Sequence, residues 1–336
     1  MAATAGVSMR IVSFSLFLIF SLSLASQGAD YRSLAEWGDS FSPPAERIEC
    51  KIPSSAFRKL PKQVPLYARA ETTSFPPQAL DWILERAFSK TNEFAEQKAR
   101  IASNPQILSQ GKTVINRDAH SFLVISPESG SIHFFNRKAA EFGSQALTNS
   151  SKLLDKTKMT KEFRDLFAQL NLNPGEIEKN VDGKENLVFR DTESFPPPQR
   201  LPVITQRQIY VQRQLNGCPL LNRNAFHEIL LAKTISGEWA EMRIHWPKLN
   251  VIGSLPITPR SNPEFQKLIG TRKLFWDKSN QANWTDAKKI VITGIRVAYL
   301  EAAGSSKLMP LFLLDTELKG VPEADDYAVI LMPIEP

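Results

Sequence analysis

Cysteine is scarce in this chain of 336 residues: Cys50 and Cys218 are the only two. Two cysteines cannot scaffold a disulfide-rich mini-protein, and their spacing matches no metal-binding pattern. One long-range bridge in an oxidising compartment and a pair of free thiols are both open readings. Histidine is nearly as rare, with His120, His133, His227 and His245. His227-Glu228 starts like a zinc-peptidase helix, but Leu231 stands where the second histidine belongs. All four read as satisfied or solvent-facing side chains. The chain has no G-x-S-x-G elbow and no glycine-rich phosphate or dinucleotide loop, so the usual hydrolase and nucleotide signatures are missing. Basic charge is also thin. The formal net charge is +6, with no dense run of Lys or Arg, which excludes a nucleic-acid stripe. No cofactor is implied.

Long apolar runs are limited to one. Arg10 precedes Ile11–Leu24, and small residues follow at Ser23, Ala25 and Ser26. A run of about 14 residues falls short of the roughly 20 that span a bilayer, so residues 1–29 read as a secretory signal peptide. An uncleaved N-terminal anchor is the alternative. No transmembrane segment is expected after signal cleavage, and the expected location is secreted or extracytoplasmic (periplasm or cell envelope).

What is present is β-strand chemistry, densest over 206–246. Ile209, Val211 and Arg213 alternate with Tyr210 and Gln212, Asn216-Gly217 breaks the run, and 226–235 is apolar and β-branched. Ser236-Gly237 then leads into Trp239, Met242, Ile244 and Trp246, which together predict an antiparallel meander of three strands. Further strands are expected at 66–69, 114–116, 121–125, 132–135, 289–300, 309–316 and 327–332, with Pro127-Glu128-Ser129-Gly130 as a turn. Pro76-Pro77 opens a helix whose stripe is Leu80, Ile83, Leu84, Ala87 and Phe88. A second helix is expected over 160–172, capped by Thr160, with Phe163, Leu166, Phe167 and Leu170 buried. Residues 265–269 suggest one more helical face.

Organisation follows from the punctuation. Residues 30–62 are Ser/Pro-rich and read as an irregular lead-in, and Phe195-Pro196-Pro197-Pro198 marks a linker over 191–202. The expected division is a first α+β domain at 63–190 and a second at 203–336. The fold class expected is α+β, as tandem small units of helix packed on antiparallel sheet.

Several stretches resemble the PepSY and fungalysin/thermolysin-propeptide group, which is cystatin-like in build. They are Tyr210–Leu220 with its Asn216-Gly217-Cys218-Pro219 step, the hairpin 232–242, and Ser126–Ile132. Ile295–Leu314, with Tyr299 ahead of Leu308–Phe312, is similar to the end of YycI-like regulators of sensor kinases. The resemblance implies a noncatalytic module that binds or restrains a protein or cell-envelope partner, without transferable catalytic residues.

Aromatics supply the candidate contacts. Trp239 and Trp246 flank a strand, while Trp276 and Trp284 sit in the polar stretch 275–286. A tryptophan in such a loop offers area to a protein or a sugar. Glu323, Asp325 and Asp326 form an acidic loop with cation-binding oxygens, although a solvated loop is the simpler reading. Asn149 and Asn283 each open a glycosylation sequon. The expected function is a secreted, noncatalytic binding or regulatory protein. A hydrolase with an unrecognised site and a carbohydrate or small-ligand module are the alternatives.

Overall fold

The computed structural model describes residues 40–41, 45–88, 99, 113–118, 121–137, 139, 155–194, 203–222, 229–234, 237–276, 287–301, 305–321 and 327–334. In chain order its strands are β1 (Ser40–Phe41), β2 (Ile48–Cys50), β3 (Gln63–Arg69), β4 (Thr113–Asp118), β5 (Ser121–Ser126) and β6 (Ser131–Asn136). Then come β7 (Val188–Ser194), β8 (Val203–Val211), β9 (Gln214–Leu215), β10 (Cys218–Asn222), β11 (Ile229–Thr234) and β12 (Trp239–His245). The last are β13 (Leu249–Pro256), β14 (Leu274–Trp276), β15 (Lys289–Glu301), β16 (Leu308–Lys319) and β17 (Tyr327–Pro333). The α-helices are α1 (Ser54–Lys59), α2 (Pro77–Phe88), α3 (Lys156–Gln169) and α4 (Asn262–Ile269).

Strands dominate the described residues, and this overturns the expectation of tandem helix-on-sheet α+β units. A seven-stranded sheet runs in the order β4-β5-β6-β12-β11-β8-β7, with every pairing antiparallel. An eight-stranded sheet runs β1-β14-β17-β16-β15-β10-β9, with β2 also on β15, and a separate ribbon pairs β13 with β3. The misreading has a physical cause. Two strongly amphipathic helices stand out in the sequence, whereas the hairpins are joined into sheets by pairings between distant strands, such as β6 with β12 and β10 with β15. Sheets are assembled from non-local partners, so period-2 patterns reveal strands without revealing which sheet recruits them.

The expected linker is corrected in the same way. Residues 191–194 belong to β7, which pairs with β8 across it, so one sheet takes strands from both sides of the proposed boundary. The meander at 206–246 is also interrupted. β8, β11 and β12 do form consecutive antiparallel neighbours. Between β8 and β11, however, the chain leaves the sheet: β9 and β10 turn at Asn216 and Gly217, both at positive φ, and β10 joins β15 in parallel. The lead-in over 30–62 is likewise not wholly irregular, since it holds β2 and α1.

Other expectations hold locally. α2 buries Ala79, Leu80, Ile83, Leu84 and Ala87, and α3 buries Phe163, Leu166 and Phe167, against Leu123, Phe134, Ile209 and Leu231 of the seven-stranded sheet. Fully burying a side chain of this size contributes about 1.5–3 kcal/mol. α3 starts a turn earlier than expected, because Asp155 rather than Thr160 caps it by accepting from the Thr157 amide at 2.9 Å. The second core lies against the eight-stranded sheet, where Phe265 and Ile269 of α4 meet Ile292, Phe312 and Leu314. The β3–β13 ribbon meets the eight-stranded sheet at Tyr67 and Tyr299, whose rings contact edge to face at 5.2 Å between centroids. Among the described residues no helix is long and apolar enough to cross a membrane. The signal peptide expected at 1–29, His120, His227, the acidic loop at 323–326 and both sequons lie outside the described residues.

Candidate functional site

The segment that leaves the seven-stranded sheet forms one wall of a cleft of about 970 Å³. Its other walls are 72–74 ahead of α2, the 170–176 loop that ends α3, and 246–249 between β12 and β13. Arg213 lies at its base, only 3% exposed. Its guanidinium is held on three sides. Nε and Nη2 donate to Glu176 at 2.7 Å, Nη1 donates to the Pro247 carbonyl at 2.9 Å, and the group lies 4.6 Å over the Trp246 ring. A buried arginine with this many partners is structural, and it leaves Glu176 without a free carboxylate charge to offer a ligand.

The base of the cleft also depends on one glycine. The short helical turn 127–129 ends at Gly130 with φ +62°, and a Cβ there would come within 2.4 Å of the Pro247 Cα. The turn read from the sequence is therefore present, and its glycine is required twice, by φ and by space. Thr73 ties the same junction: its amide donates to the Pro127 carbonyl and its Oγ1 accepts from the Lys248 amide at 3.0 Å.

The lining mixes amides and hydroxyls, with Thr72, Ser74, Asn171, Asn173, Gln214 and Asn216, and apolar side chains such as Leu170, Leu172, Leu215, Trp246 and Leu249. Asn216 Nδ2 donates to the Tyr67 hydroxyl at 2.8 Å, and burial raises the Tyr67 pKa. Among the described residues that line the cleft, Glu176 is the one carboxylate and there is no histidine, whereas Lys179 and Lys248 at its rim are exposed.

Behind the cleft, a buried polar chain joins the two large sheets. His245, at the end of β12, places Nδ1 2.8 Å from Ser131 Oγ and Nε2 2.8 Å from Glu301 Oε2. Glu301, at the end of β15 and 5% exposed, also pairs with Arg69 of β3. Burial pushes the Glu301 carboxyl up, but the His245 hydrogen bond and the Arg69 charge outweigh it, so its pKa falls below the ordinary value. A serine, a histidine and a glutamate in line invite comparison with a hydrolase triad. The nearby amides are already committed: that of Gly130 goes to Pro127 and that of Trp246 to Gly130. Neither of these two amides is free to hold an oxyanion, and the polar chain acts as a clamp between sheets.

The expected tryptophan contacts separate. Trp239 is core: 4% exposed, 5.6 Å from Trp82 between ring centroids, with Nε1 donating to Glu162 at 2.7 Å. Trp246 is also 4% exposed, but it lines the cleft beneath Arg213 and meets Phe167 edge to face at 5.4 Å. Trp276 pairs through its backbone with Ile330, its side chain lies outside the described residues, and so does all of Trp284. Neither Trp239 nor Trp246 forms an open aromatic shelf.

Burial disfavours the thiolate form of both cysteines, pushing Cys50 up to about 11 and raising Cys218 as well. Cys50 lies opposite Ile292 and Cys218 lies level with Val297 on the same edge of β15, five positions apart. That is about 16 Å along a strand, well beyond the roughly 7 Å a disulfide spans. Both thiols are free. Among the described residues no cluster of His, Cys, Asp and Glu could hold a metal ion.

No protein-family model matches this chain, and no curated protein does.

Proposed function

We propose that this chain is a noncatalytic binding protein that seats a stretch of a partner polypeptide in the cleft above Arg213 and Trp246. The observation that carries this reading is the lining: side-chain amides and hydroxyls interleaved with apolar side chains around a space of about 970 Å³, with no histidine among the described residues that line it and with their single carboxylate spent on Arg213. Amide side chains donate and accept at once, as a peptide backbone does, so they suit an extended chain irrespective of its sequence. General acid–base chemistry needs a titratable group free to move a proton at the substrate; here Glu176 is held by Arg213, the Tyr67 hydroxyl accepts from Asn216, and Lys179 and Lys248 stand exposed at the rim. The sequence pattern of residues 1–29 supports an extracytoplasmic setting for the partner, either a protein or a component of the cell envelope.

The test is selection from a displayed library of linear peptides on the full chain, compared with Ser74→Trp. Ser74 is exposed at the cleft wall, and an indole there fills the space without touching either core. The expected result is a set of binders that Ser74→Trp loses. The reading is wrong if no peptide is selected, or if the selected peptides bind Ser74→Trp equally well. A glycan array bound in a Ser74-dependent way, with no peptide selected, would replace the partner class.

A further inference from the structure

β13 leaves the cleft from Lys248 and Leu249 and runs along the outside of the molecule. It pairs with β3 on one edge, and no strand among the described residues occupies the other. Five consecutive residues, Asn250–Ser254, are exposed. Val251 and Ile252 are 65% and 50% exposed, which makes them two of the three exposed large apolar side chains among the described residues. The third, Val181, stands apart in the 181–183 turn. β13 carries no charged residue, so it lacks the lysine or inward charge that normally blunts a sheet edge. A bulge at Ile252 shifts the register between Val251 and Gly253, and it exposes the two aliphatic side chains side by side.

Basic residues stand at both ends of this apolar edge, and the exposed Glu71 lies on the β3 side at the Lys248 end, where the Ala70 amide donates to the Lys248 carbonyl. Neither β13 nor β3 contains an acidic residue. Lys248 precedes β13. Lys62 lies beside its far end, where its carbonyl accepts from the Ile257 amide. Lys179 stands across the cleft. Arg69 is already paired with Glu301, whereas these three lysines form no ion pair with a described residue.

We infer that the partner segment continues out of the cleft as an added strand on the free edge of β13, and that it is an extended peptide with an apolar centre and acidic flanks. This rests on the reading of the cleft as a polypeptide seat. Main-chain hydrogen bonds to the edge supply affinity, contacts to Val251 and Ile252 supply the apolar preference, and Lys248 and Lys62 at opposite ends select acidic flanks. A second copy of the chain is a poor occupant. Antiparallel pairing of two β13 edges brings Lys248 of each copy toward the Lys62 end of the other, setting like charges together at both ends.

The test uses three synthetic peptides of about ten residues, roughly one strand with its flanks. All share an alternating Val/Thr centre. One has Glu/Asp flanks, one has Lys flanks, and one is the acidic peptide N-methylated at alternate residues. Fluorescence anisotropy is measured against the full chain, Ser74→Trp, and Val251→Ser/Ile252→Ser. The acidic peptide is expected to bind at least about tenfold more tightly than the Lys-flanked one, with the gap narrowing at high salt. N-methylation and the double serine substitution should each cost at least as much. Equal binding of the acidic and Lys-flanked peptides overturns the charge assignment. Binding that Ser74→Trp abolishes but that ignores both N-methylation and the edge substitution overturns strand addition and leaves the cleft reading standing. Binding by none of the peptides overturns both.

Discussion

Replacing Glu301 with glutamine should destabilise the protein far more than removing any one exposed ion pair. The Glu301 side chain is 3% exposed, while Arg69 and His245 are 21% and 17% exposed. Removing one member of a buried pair costs about 3–5 kcal/mol, mostly because its partner is left charged and desolvated. Here the partners retain some access to water, so a loss of about 2–4 kcal/mol is expected. For a protein of this size that corresponds to a fall of roughly 3–6 °C in Tm. Urea unfolding monitored by tryptophan fluorescence measures the difference directly. The pH dependence carries a defined sign. The folded Glu301 carboxyl titrates below its ordinary value of 4.5, so its contribution is complete above that value and is lost as pH falls through the lower folded value. The part of the wild-type advantage over Glu301→Gln that comes from this carboxylate should therefore shrink as pH falls below 4.5. A glutamine variant within about 0.5 kcal/mol of wild type at pH 7 would refute the clamp between the sheets.

Three further substitutions or probes test neighbouring claims. Gly130→Ala combines a left-handed backbone with a Cβ 2.4 Å from the Pro247 Cα, and should cost more than about 2 kcal/mol in the same urea assay. Trp239→Phe removes the donor to Glu162, which keeps its Lys233 partner at 2.5 Å, so a loss of about 1–2 kcal/mol is expected with peptide binding unchanged. A thiol-reactive disulfide reagent at neutral pH should label Cys50 and Cys218 slowly in the native protein and promptly in urea. Fast native labelling would contradict the raised thiols, and no labelling in urea would contradict their being free.

Much of the local structure was legible in the sequence, because local rules decide it. The stripe at Leu80, Ile83, Leu84 and Ala87 gave α2, Asn216-Gly217 gave the turn between β9 and β10, and Gly130 gave its turn. What was hidden depends on distance along the chain. β13 sits in a stretch punctuated by Pro247, Pro256, Pro259 and Pro263, and its alternation is broken by the bulge at Ile252, so it carries no clean period. The linker prolines concealed that β7 and β8 pair across them. The cleft was the least visible feature. Trp246 was singled out, but Arg213 above it read only as one more residue of a strand. Nothing in the sequence places Glu176 or Pro247 beside it. The polar chain of Arg69, Glu301, His245 and Ser131 joins four strands from across the chain. A faint signal was available in Arg69 and Glu301: each lies at the end of an apolar strand run, where an isolated charge has to find a partner.

The central claim, that an extended polypeptide occupies the cleft and the edge of β13, is tested most directly by amide hydrogen exchange on the full chain with and without the acidic-flanked peptide. Added main-chain hydrogen bonds should slow exchange across Lys248–Leu255 and in the Asn216-Gly217 turn, while the buried strands β15 and β16 remain unchanged. Unchanged exchange along β13 at saturating peptide, or protection confined to a surface away from the cleft, would contradict the account.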